Sequence, residues 1–111
     1  MRDQLTWAAD VSEIKLLMAR YIKNVHRMDY MSSFETLMAN THPELRFEYM
    51  ESGAYLGPEH VRTYMQALHD YMQSPQDKKG YMGLHHCMTP NILINDRGDR
   101  AYGHWNILSP W

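Results

Sequence analysis

The chain holds one cysteine, Cys87, in 111 residues. An internal disulfide is therefore excluded, and a reducing compartment fits. Excess charge is also lacking: 11 Lys and Arg stand against 13 Asp and Glu, a net of −2. No basic field argues for nucleic acid or an anionic membrane as partner. No apolar run approaches the length of a membrane span. Residues 1–10 have neither the apolar core of a signal peptide nor Arg-rich transit character. A soluble, cytoplasmic chain is expected. No internal repeat, low-complexity tract or linker is found, so residues 1–111 are expected to form one domain.

Several chemical motifs are missing as well. Gly53 and Gly57 lack the Lys and Ser/Thr that complete a phosphate loop. There is no Gly-x-Ser-x-Gly nucleophile elbow. His85 and His86 are adjacent, so on a strand they point to opposite faces, and only His85 and Cys87 share a side. His60 and His69 do not meet on one helix face at ligand spacing. Neither a metal nor a cofactor is expected. Cys87 has no nucleophile context, and burial suits it.

What the chain has in quantity is methionine and tyrosine, 10 and 8 residues. Methionine adapts to irregular apolar gaps, and tyrosine carries a polar tip on an apolar body. Together they suit a pocket for a flat, partly oxygenated ligand, and they equally suit an ordinary core.

Asp10 and Glu13 form a capping-box pattern before a helical stripe of Val11, Ile14, Met18, Tyr21 and Val25, widened by Leu17 and Ile22. Ser32 and Glu35 suggest a second, short helix holding Phe34, Leu37 and Met38, broken at Asn40–Pro43. Asp29 reads as a helix cap in preference to a cavity acid. Leu45, Phe47 and Tyr49 alternate with polar residues as a half-buried strand does, and Ala54–Leu56 follows as a short return. Pro58 opens a helix with Val61, Met65, Leu68 and Met72 on its buried stripe and Tyr64 and Tyr71 beside it. Gln73–Gly80 reads as a loop. Leu84–Ile94 reads as a long strand with an edge or bulge at Pro90, after which the facing of side chains changes. Asn95–Asp99 has hairpin-loop composition, and Arg100–Leu108 returns with Ala101, Gly103, Trp105 and Ile107 on one face. Helices followed by antiparallel strands give an α+β class.

The order of these features resembles a known family. A capped helix ends in Arg20-Tyr21, and Met28-Asp29-Tyr30 forms a junction. Gly53 and Gly57-Pro58 turn into a helix, and His85 precedes Thr89-Pro90-Asn91-Ile92. Gly98-Asp99-Arg100-Ala101-Tyr102-Gly103-His104-Trp105 closes the series. The pattern is similar to the SnoaL-like branch of the nuclear transport factor 2-like superfamily, with bile-acid 7α-dehydratase and scytalone dehydratase as related shapes. The resemblance implies a cone-shaped, curved antiparallel sheet wrapped around the N-terminal helices, enclosing one apolar cavity. Family members continue beyond the position of Trp111, so a C-terminally short domain lacking the last hairpin is expected.

The resemblance also implies chemistry: dehydration or isomerisation of a hydrophobic cyclic ligand, steroid- or polyketide-like, without cofactor. His85 matches the family's cavity histidine and would serve as base or proton shuttle. Tyr21 matches a helix tyrosine and would donate to the developing oxyanion. Tyr49, His26, Trp105 and Asn91 would contact substrate. The family's carboxylate that orients the histidine falls on His26 here, and a further acid falls on Ser109. The alternative is a non-catalytic ligand-binding or oligomerisation module using the same cavity. A homo-oligomer, dimer or trimer, is expected through the outer face of the sheet, because Trp105, Trp111 and nearby apolar groups cannot all face one cavity.

Overall fold

The computed structural model describes residues 3–49, 52–73 and 85–108. In chain order they form α1 (Gln4–His26), α2 (Tyr30–Thr36), β1 (Arg46–Tyr49), β2 (Gly53–Leu56), α3 (Pro58–Gln73), β3 (His86–Ile94) and β4 (Ala101–Leu108). The chain divides into two compact units. The terminal unit comprises Met1–Lys23 and Met82–Trp111, and the central unit comprises Asn24–Tyr81.

The expected cone is not formed. The described strands make two separate two-stranded antiparallel sheets, β1–β2 and β3–β4. Each strand pairs only with its neighbour in sequence. β1 and β2 are four residues long, too short to curl around a helix. The resemblance to the SnoaL-like, nuclear transport factor 2-like family implied that single wrapped sheet, and the two separate hairpins contradict it.

α1 begins earlier than the Asp10–Glu13 pattern predicts. Asp3 caps it: Oδ1 accepts from the amides of Leu5 (2.8 Å) and Thr6 (3.2 Å). With those orphan donors satisfied, the helix starts at Gln4 and Asp10 lies inside it. Its far end closes with a Schellman motif, in the central unit. The Asp29 amide donates to the Asn24 carbonyl and the Met28 amide to the Val25 carbonyl, both at 2.9 Å. This leaves Met28 at φ +59, where glycine is normally found. Met28→Gly is therefore expected to raise stability by about 0.5–1 kcal/mol, the relief of the left-handed penalty exceeding the entropic cost of glycine. A urea midpoint that is unchanged or lowered would contradict this.

In the central unit, α3 packs on α2 and on the β1–β2 hairpin. Phe34, Val61 and Met65 are fully buried, with Tyr30 and Val25 close to it. Val61 and Met65 belong to the predicted stripe of α3, one helical turn apart. Tyr64 on the same helix stacks on Tyr55 with centroids 4.4 Å apart and lies 5.6 Å from Phe47. α2 stops because Asn40 turns back on it: its Nδ2 donates to the carbonyls of Phe34 (3.1 Å) and Glu35 (3.0 Å).

In the terminal unit, β3 and β4 form a ribbon whose register slips between Met88 and Asn91. Thr89 there has φ +54, so the bulge expected at Pro90 is present. The connecting loop is held by Asn95. Its Oδ1 accepts from the amides of Asp99 (3.1 Å) and Arg100 (3.2 Å), and its Nδ2 donates to Asp99 Oδ1 (2.6 Å).

Candidate functional site

The bulge decides what the ribbon shows to each side. Residues directly opposite in an antiparallel pair share a face. Before the bulge His86 opposes Leu108 and Met88 opposes Asn106; after it Asn91 opposes His104 and Leu93 opposes Tyr102. These eight side chains form one face, and all are exposed. The other face carries Cys87, Ile92, Ile94 and Trp105, all half-buried, with Ala101, Gly103 and Ile107, which are exposed. The predicted common face of Ala101, Gly103, Trp105 and Ile107 is therefore the inner one. Burial there raises the Cys87 thiol above its usual pKa, which leaves it protonated and unreactive.

The outer face has an unusual makeup for a surface. Met88, Leu93, Tyr102 and Leu108 are its large members, and two histidines and two asparagines stand between them. Neither β3 nor β4 contains Asp, Glu, Lys or Arg. Single exposed apolar side chains are ordinary, whereas large contiguous exposed apolar patches are rare on monomeric chains.

The residues singled out from sequence are scattered relative to this face. Tyr21, on α1, and His85, one residue ahead of β3, are both half-buried and both belong to the terminal unit. Asn91 is on the outer face of the ribbon and Trp105 on the inner one, so the two do not contact one ligand on one side of the sheet. Tyr49, at the end of β1, and His26, the last residue of α1, are exposed members of the central unit. Three open hollows lie on the terminal unit; the one lined by Asp10, Glu13, Ile14, Asp99 and Arg100 holds about 250 Å³. None of the six predicted residues lines any of the three.

One polar cluster escaped the sequence pattern. Asp29 caps α2, as predicted, and accepts from the Ser32 hydroxyl at 2.7 Å and the Ser32 amide at 3.1 Å. The Nδ1 of His69, buried on α3, stands 3.7 Å from Asp29 Oδ1. The side-chain Nε2 of Gln73 donates to the Met28 carbonyl at 2.9 Å, so the end of α3 is tied to the junction before α2. The Ser32 hydroxyl, then the Ser32 amide, hold the Asp29 carboxyl below its ordinary pKa, with smaller help from His69 and Arg27. A depressed carboxylate pKa adds stability that is complete above the unfolded value and is lost as pH falls through the folded one. Asp29→Ala is expected to cost about 1 kcal/mol at neutral pH. Below roughly pH 4 its deficit relative to the parent chain should shrink. Urea titrations across that range check this; a deficit that stays constant into strong acid contradicts it.

No helix among the described residues is long and apolar enough to cross a membrane. Comparison with protein-family models, with curated proteins and with solved structures gave no match to this chain.

Proposed function

We propose that the chain is an association module that works as a homo-oligomer, its terminal unit supplying the contact surface. The observation that carries this is the uneven division of apolar burial. Among the described residues, only Ile22 of the six buried hydrophobic ones belongs to the terminal unit, whereas nine of the twelve exposed large hydrophobics do. A two-stranded ribbon is marginal in water by itself. One with its apolar side chains in solvent gains most from a partner that covers them. The lone Cys87, a half-buried thiol, suits a reducing, cytoplasmic setting. Light scattering with sedimentation velocity tests the reading. A mass above that of one chain, falling on dilution, is expected; one chain's mass at every concentration overturns it.

A second reading is acid–base catalysis on a hydrophobic cyclic ligand, with His85 as base and Tyr21 as donor. What favours it is that both side chains are half-buried within the same unit. Ligand turnover lost in His85→Ala and Tyr21→Phe would support it. Equal ligand binding by all three chains with no turnover in any would remove it.

A further inference from the structure

We infer that the partner is a second copy of this chain, seated two-fold symmetrically with the outer face of one β3–β4 ribbon against the outer face of the other. This rests on the association reading and names the surface and the occupant. Three observations carry it.

The first is composition. The outer face holds Tyr102, Leu93, Leu108 and Met88 and no charged residue, the depletion of charge and enrichment in aromatic and Met side chains that mark an interface centre. The second is self-compatibility. A two-fold contact sets a patch against itself, so any charged patch would meet its own sign. An uncharged face avoids that repulsion, and its imidazole and amide groups (His86, His104, Asn91 and Asn106) both donate and accept hydrogen bonds. A charged partner finds no complement there. The third is area. Tyr102, Leu93, Leu108 and Met88 are 58%, 60%, 57% and 45% exposed. At such exposure each offers on the order of 100 Å². With the four polar neighbours, two copies face to face bury roughly 1,000 Å² in all, where specific interfaces begin. That size predicts a dimer that dissociates on dilution.

The test uses the whole chain. Sedimentation velocity over a concentration series compares the parent with Leu93→Lys, Tyr102→Lys and, as control, Leu16→Lys on the exposed side of α1. Leu93 and Tyr102 face solvent, so lysine there is compatible with folding, and far-UV circular dichroism verifies it. Each outer-face lysine should weaken association roughly 100-fold, and the Leu16→Lys chain should associate like the parent. A second measurement does not depend on stability. Asn91 and His104 are register partners near the middle of the ribbon, so His104 lies close to the two-fold axis. In a Cys87→Ser background, His104→Cys should form an intermolecular disulfide on mild oxidation, and Leu16→Cys should not. If the parent associates but the outer-face lysine variants associate as well as it does, or the Leu16→Cys chain cross-links, the assigned face is overturned and the association reading stands. A parent that never associates overturns both.

Discussion

Gly103→Ala is expected to destabilise the β3–β4 ribbon by roughly 1–3 kcal/mol, although alanine has the better backbone propensity. A Cβ built on Gly103 would stand 2.6 Å from Cζ3 and 2.7 Å from Cη2 of Trp105. Contacts that close do not survive in a folded chain, so something must move. Trp105 sits two residues further along β4 on the same inner face, and its indole lies across the space a side chain at 103 would take. The ring is rigid and half-buried, so it yields only by leaving its rotamer and its packing. The gain from removing a strand glycine, about 0.5–1 kcal/mol, is smaller than that cost. A double-mutant cycle isolates the cause. Trp105→Leu alone costs stability, but in the Gly103→Ala chain it relieves the clash, so the two losses should combine to less than their sum. Urea unfolding of the four chains measures this, and simple additivity would sink the explanation.

The Gly103–Trp105 relation shows how much of the fold the sequence carried. Period-two patterning put Ala101, Gly103, Trp105 and Ile107 on one face, and the register agrees. Pro90 announced a bulge, because proline has no amide for the ladder. The buried pair of α3, Val61 and Met65, followed from helical spacing. These are local consequences of backbone chemistry. The cone was a different kind of expectation. It required strands distant in sequence to pair, and no residue pattern specifies such pairing directly. The order of motifs suggested a family architecture, whereas the described strands form only nearest-neighbour hairpins. The start of α1 was missed for a local reason: Leu5 and Trp7 are exposed and give no periodic signal, while Asp3 supplies the cap.

The site was less legible. Histidine and tyrosine drew attention through their chemistry, but chemistry alone does not say which face or unit a side chain occupies. One slip at the bulge puts Asn91 beside His104 on the outside while Trp105 stays inside. The family resemblance implied that both contact one ligand, and the bulge separates them. The outer face itself had a visible signal, since two consecutive strands without a single charged residue seldom leave either side in water. His69 had none, because its approach to Asp29 depends on how α3 crosses the α2 junction, 40 residues away in the chain.

Phe34→Ala should cost about 3–5 kcal/mol, the largest loss of any single truncation in the central unit. Phe34 is fully buried on a helix of only seven residues, so α2 owes its existence to packing more than to its own propensity. Deleting the ring leaves a cavity between α2 and α3 that neighbouring side chains fill only in part. It also strips the platform under Arg62, whose guanidinium carbon stands 4.7 Å from the ring centroid. That contact adds about 0.5–2 kcal/mol. Set against a total stability of about 5–15 kcal/mol for a folded domain, such a loss is a large fraction of the whole. Graded variants separate the two contributions. Phe34→Leu keeps most of the volume and loses the ring, so it should fall well short of the alanine cost. Arg62→Ala should cost less again, because it leaves the core filled. Leu56→Ala, at a position 59% exposed on the same unit, should change stability by no more than about 0.5 kcal/mol. Chemical denaturation of the four chains orders them. If Phe34→Ala and Leu56→Ala prove equally mild, the packing of α2 on α3 is not what holds this unit together.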